Sequence, residues 1–174
     1  MGCGAPLKRA LEGLDGVKAV EMRFPDKEFE VQYDPAKIKL KALLETATNG
    51  GKFQSKAAGA IKARLDAPGL KLEGSSDKAN YGKKAKGTLN LKLTPEAGKQ
   101  VAGAKLTVET PKALKFTKSK VNLKTVSKAK DVALALKVAK KAEAGSHEVV
   151  IKISYLDSWG QPQEAELRIP VSVE

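Results

Sequence analysis

From residue 88 onward, apolar residues recur at every second position in short runs broken by turn signals, and this period confines the chain to strands. Leu89, Leu91 and Leu93 set the pattern, and Val149, Ile151, Ile153 and Tyr155 repeat it near the end. Alternation of this kind puts one face of a strand on a core and the other in water. Similar runs fall at 104–108, 114–116, 121–123, 132–138 and 165–173, with a short one at 70–72. Seven or eight short strands over about 105 residues predict an all-β sandwich of immunoglobulin-like type.

Composition narrows the chemistry. Aromatic residues are only 5% of the 174, so a core must be aliphatic. The single Cys excludes an intrachain disulfide and a cysteine-only zinc cage. The single His leaves almost nothing for histidine-based catalysis. No apolar run is long enough to span a membrane. The chain opens without a basic and apolar leader, so a signal peptide is expected to be absent or already removed, with a periplasmic or secreted location favoured in the second case.

The formal charge is +12, from 32 basic and 20 acidic side chains. Residues 1–68 hold 12 basic and 9 acidic groups, and residues 69–174 hold 20 and 11. Such an excess attracts polyanions in general. Most of it is Lys at single polar strand positions, with short clusters at Lys83, Lys84 and Lys86 and at Lys140 and Lys141. Only four Arg are present and no aromatic residues interleave with basic ones, which argues against nucleic acid. Solvated strand faces and lysine-protected edges account for the pattern.

The first part of the chain mixes periods. Leu7, Ala10, Leu11 and Leu14 form a helical stripe with Pro6 near its first turn, and Asp15-Gly16 stops it. Val20, Met22 and Phe24 alternate, Pro25-Asp26-Lys27 turns the chain, and Phe29, Val31 and Tyr33 return it as a hairpin. Ile38, Leu40, Leu43 and Leu44 predict a second helix ending at Asn49-Gly50-Gly51, and Phe53 opens a short strand. The expected organisation is a domain at 1–58, a linker or short helix at 59–68 and a sandwich at 69–174, with Pro68-Gly69 as the boundary.

The run Met1-Gly2-Cys3-Gly4-Ala5-Pro6, the following Leu7, Ala10, Leu11 and Leu14-Asp15-Gly16-Val17, and the stretch Val31-Gln32-Tyr33-Asp34-Pro35-Ala36-Lys37-Ile38 resemble the heavy-metal-associated domain. The resemblance covers about residues 1–57. It implies a ferredoxin-like βαββαβ domain, with the first strand short or missing, and so, with the sandwich that follows, an α+β chain. It also implies binding of copper(I) or another soft metal ion, with Cys3 as the metal ligand. Soft cations prefer sulfur, and a helix N-terminus favours thiolate. The family's second cysteine is replaced by Pro6. A second ligand would come from Met1, from Cys3 of a second chain in a Cys3-bridged homodimer, or from a protein partner.

The runs Gly87-Thr88-Leu89-Asn90-Leu91-Lys92-Leu93-Thr94-Pro95 and Val149-Val150-Ile151-Lys152-Ile153-Ser154-Tyr155 are similar to the N-terminal domain of periplasmic thiol–disulfide reductant conduits, as is Ile169-Pro170-Val171-Ser172-Val173. That family places a Cys near where Leu156, Asp157 and Ser158 stand, so its redox activity is not expected here.

Other candidates weigh little. His147 is expected to be exposed and idle, and Glu28/Glu30 and Glu164/Glu166 are expected on solvated strand faces. Trp159 lies in the Ser158-Trp159-Gly160-Gln161-Pro162 turn, where an anchoring role is expected over an exposed tip shared with Tyr155. The reading is a non-enzymatic soft-metal binding or transfer protein of the bacterial envelope. The alternative is a structural or protein-interaction module with a degenerate metal site.

Overall fold

The computed structural model describes residues 4–23, 28–34, 37–49 and 62–174. The chain divides into two compact units, Met1–Ala58 and Gly59–Glu174.

In the first unit, α1 (Gly4–Glu12) buries Leu11 and half-buries Leu7, as the helical stripe requires. Its end is closed by Gly13 N–H to the Arg9 carbonyl at 3.0 Å. Gly16 follows at φ +95°, and a Cβ there would come within 2.7 Å of the Lys37 Cβ, so only glycine fits. Two strands, β1 (Val17–Arg23) and β2 (Glu28–Tyr33), pair antiparallel with Val20 opposite Val31 and Met22 opposite Phe29. Ile38 precedes α2 (Leu40–Asn49) instead of lying in it, because its N–H bonds back to the Asp34 carbonyl at 3.0 Å. Leu11, Val20, Ile38 and Leu43 form the buried centre of this unit.

The expected ferredoxin-like βαββαβ arrangement is therefore corrected. Among the described residues the unit is α-β-β-α, with one two-stranded sheet. Only the 17–33 stretch carries the period-two alternation of a half-buried strand pair, and residues of both helices pack on its apolar face. The strand expected from Phe53 and the one reduced to Met1-Gly2 lie outside the described residues.

The second unit is a β-sandwich, and the expected α+β class is corrected, since the described residues are mostly β. Its first hairpin is β3 (Lys62–Ala67) and β4 (Leu70–Ser76), so residues read as linker or short helix are strand. Gly69, at φ +70°, makes the turn between them. Then follow β5 (Asn80–Tyr81), β6 (Lys86–Pro95), β7 (Val101–Glu109), β8 (Leu114–Phe116), β9 (Lys120–Val126), β10 (Lys130–Val138), β11 (Gly145–Leu156) and β12 (Pro162–Val173). One sheet runs β3-β4-β6-β10-β8 and the other β5-β12-β11-β7-β9. From β4 to β11 the chain changes sheet at every step. Only β5 and β12 pair parallel; the other ladders are antiparallel.

Alternation decides the core. Leu89, Leu91 and Leu93 of β6 face Leu106, Ile151, Ile153, Leu167 and Ile169 of the other sheet in one buried cluster. The sheets approach so closely at Gly74 that a Cβ there would run into the Ile169 and Leu167 side chains. Ordering many aliphatic side chains in one dry layer is the main source of stability for a fold this poor in aromatics.

The edge strand β9 is irregular. Lys124 has φ +55°, and its N–H is taken by the Asn122 side-chain oxygen at 3.1 Å. The ladder to β7 shifts register twice, between Val101 and Ala104 and between Ala104 and Lys105.

Candidate functional site

Three turns meet at one end of the sandwich: the β3–β4 turn, the β6–β7 turn and the β11–β12 turn. The last of these carries Trp159, whose side chain is 70% exposed. An anchoring role was expected here over an exposed tip formed by Trp159 and Tyr155 together. The anchoring expectation is corrected for Trp159, and the shared tip is corrected for Tyr155. Tyr155 is buried, and Trp159 projects.

Asp157 is the anchor. It is 7% exposed, yet every oxygen of its carboxylate is used. Oδ1 accepts the N–H of Trp159 and of Gln161, both at 2.9 Å, and Oδ2 accepts from the Gln163 amide at 2.9 Å. The main chain closes the same turn through Asp157 N–H to the Gln161 carbonyl and Gly160 N–H to the Asp157 carbonyl, each at 3.0 Å. Gly160 supplies the left-handed residue at φ +77°. This is the side-chain-to-backbone bonding that makes Asp a turn former. Burial works to raise the Asp157 carboxyl. The N–H groups of Gln161 and Trp159, the Gln163 amide and the nearby Lys99 charge outweigh it, so the group ionises below the usual carboxylate range.

The neighbouring turn holds the ring. Lys99 Nζ lies 4.7 Å from the Trp159 ring centroid, within cation–π range. The same ammonium bonds Glu96 at 2.8 Å. The Glu96 N–H in turn bonds the Gly69 carbonyl at 3.0 Å, which ties the β6–β7 turn to the β3–β4 turn. Leu156, 42% exposed, is the other large apolar side chain left in water among the described residues.

The remaining candidates separate. Cys3, the expected metal ligand, lies outside the described residues, as does Met1. Among the described residues no group of three or more His, Cys, Asp or Glu is placed to hold a metal ion. His147 sits inside β11, half-buried, with Nε2 2.8 Å from the Glu143 carbonyl oxygen. Glu164 and Glu166 lie with Lys105 and Lys152 around an open depression on the outer face of the second sheet. Lys152 there is paired with Glu109 at 2.7 Å. No helix among the described residues is long and apolar enough to cross a membrane.

Sequence reasoning placed Trp159 in the right turn but missed Asp157 as its organiser. The signal was present, since an Asp two residues before Trp and three before Gly is a turn-capping arrangement.

No family model matches the chain, and no curated protein matches it. The expected heavy-metal-associated membership is corrected on that finding, and the likeness to thiol–disulfide reductant conduits has no family match either. Among solved structures, the chain is similar to the GAE domain of GGA2p from Saccharomyces cerevisiae, at 10% identity and TM-score 0.43, over 62% of this chain and 94% of that one. The yeast GGA1 GAE domain gives 11% identity and TM-score 0.43, over 63% and 96%. The periplasmic chaperone SfaE gives 11% and 0.36, over 55% and 52%. Likenesses this loose transfer neither a family nor an activity.

Proposed function

We propose that the chain is a non-enzymatic protein-interaction module whose contact point is the Trp159 tip. The observation that carries this reading is an exposed indole on a turn that a buried carboxylate holds rigid. A large aromatic ring already fixed in one pose loses little entropy on binding, and Trp is the residue type most enriched at binding hot spots. Lys99, Glu96 and Leu156 supply a mixed polar and apolar rim of the kind that surrounds such anchors.

The soft-metal reading rests on Cys3 alone. Copper(I) titration of the wild type and Cys3→Ser separates the two readings, because tip binding is independent of Cys3.

The direct test uses the fact that Trp159 is the only tryptophan in the chain. Displayed peptides are selected against the full chain and titrated while its tryptophan emission is followed. The reading expects selected peptides to shift that emission and to lose about tenfold or more in affinity for Trp159→Ala. Peptides that bind Trp159→Ala equally well and leave the emission unchanged would overturn it.

A further inference from the structure

Cross-strand neighbours on the outer face of the first sheet are charge-matched, with one exception. One row reads Arg64, Glu73, Lys92, Asp131, alternating in sign across four strands. Another sets Asp66 opposite Lys71. The exception is the row Lys86, Lys137, Lys115, which crosses β6, β10 and β8 in direct register. All three are exposed, and none is in an ion pair among the described residues. Like charges directly opposite on a sheet oppose folding. Strand spacing puts the row across about 10 Å.

The turns beyond the row continue the pattern. Val138 N–H bonds the Ala85 carbonyl at 2.9 Å, and Ala139 N–H bonds the Ala113 carbonyl at 2.8 Å, so the three strand ends stay together past the lysines. Their turns bring Lys83 and Lys84, Lys140 and Lys141, and Lys112, all exposed, to the same end. Lys84 sits at φ +61°, a left-handed position where glycine or asparagine would be easier. Asp77, exposed beside them, contributes one negative charge. Asp77 is engaged by the Thr88 N–H at 2.8 Å and by the Tyr81 hydroxyl. Glu143 and Glu174 are the other exposed acids of this end, so three acids stand against eight lysines.

We infer that this end of the sandwich is a docking face for a membrane surface rich in anionic lipid headgroups. The chemistry favours lipid over nucleic acid. Every basic group here is Lys, and the two Arg of this unit, Arg64 and Arg168, pair within other parts of the sandwich. The only aromatic residues here, Tyr81 and Phe116, are packed on the core. Base and phosphate recognition draws on Arg forks and stacking rings. An anionic leaflet asks only for point charges within a Debye length of its surface, which lysines on turn tips supply. The face is distinct from the Trp159 tip. Strand β6 runs from Lys86 at one end to the tip's β6–β7 turn at the other, a span of 10 residues and about 30 Å.

The test is co-sedimentation of the full chain with vesicles of phosphatidylcholine alone, or with about one third phosphatidylglycerol, at about 0.1 M salt. The row variant is Lys86→Gln/Lys115→Gln/Lys137→Gln. The control, Lys105→Gln/Lys128→Gln/Lys130→Gln, removes equal charge elsewhere. The proposal expects binding to anionic vesicles only, a loss of about 10- to 100-fold in the row variant, and a loss under about threefold in the control. The row variant should melt no lower than wild type, and Lys137→Gln alone serves as a milder second variant. No partition to anionic vesicles would overturn the proposal, as would equal losses in both variants. Tighter binding to a DNA or RNA duplex than to vesicles, lost in the row variant, would reassign the face to nucleic acid.

Discussion

The Tyr155 hydroxyl donates to the Pro68 carbonyl at 2.8 Å, joining residues 87 apart in sequence. The bond links β11 of one sheet to the β3–β4 turn of the other, directly beneath the Trp159 tip. Burial, with the Asp157 charge added, holds the Tyr155 phenol above its ordinary pKa, so it stays a donor at any physiological pH.

Tyr155→Phe removes that donor and leaves the ring in place. The expected loss is about 0.5–1.5 kcal/mol. Urea denaturation should show a lower midpoint with an unchanged slope, since the exposed surface on unfolding is the same.

Asp157 makes the tip acid-sensitive. Its folded pKa is depressed, so its stabilising effect is present above the usual carboxylate range and is lost as pH falls through the folded value. Tryptophan emission followed during acidification should change below about pH 4. In Asp157→Asn that acid step should vanish, with the emission already altered at neutral pH.

Lys137 and Lys92 should respond in opposite directions. Lys137 stands between two lysines, so Lys137→Gln should stabilise the fold by about 0.2–1 kcal/mol at low salt. Lys92 stands between Glu73 and Asp131, and Lys92→Gln should destabilise by a few tenths of a kcal/mol, about the value of one exposed pair. Both effects should fade at about 1 M salt. Thermal melts at two ionic strengths measure this.

Gly74→Val should cost about 1–3 kcal/mol, because its added carbons meet Ile169 and Leu167 in a full core. Ile169→Val in the same chain should recover part of the loss, which a double-mutant cycle reads as coupling.

Strands were legible where apolar residues alternate without interruption. The runs at 88–93, 104–108, 114–116, 132–138, 149–155 and 165–173 all lie within observed strands. β3 escaped because its inward residues are Ala63, Leu65 and Ala67, small groups beside charged neighbours, and the pattern reads equally as a short helix. β5 has two residues, too few for any period. The first unit misled in a different way. Its helices and hairpin fall where the residues put them, but a helix–hairpin–helix order is shared by several folds, and landmarks such as Leu14-Asp15-Gly16-Val17 specify a turn and not a family. At the tip, the turn was legible and the division of labour was not. Which of Tyr155, Asp157 and Trp159 points inward depends on the β11 pleat, which buries the odd-numbered residues up to Asp157 and then gives way to the turn.

The kink in β9 bears on how copies of this chain behave when crowded. An open sheet edge invites another strand to add to it, and a flat aliphatic edge is where fibrils begin. With Lys124 turned left-handed, its N–H already occupied by Asn122, and Lys120 alongside, a straight incoming strand finds no continuous ladder to join. The second sheet thereby offers a poor template for strand addition on that side.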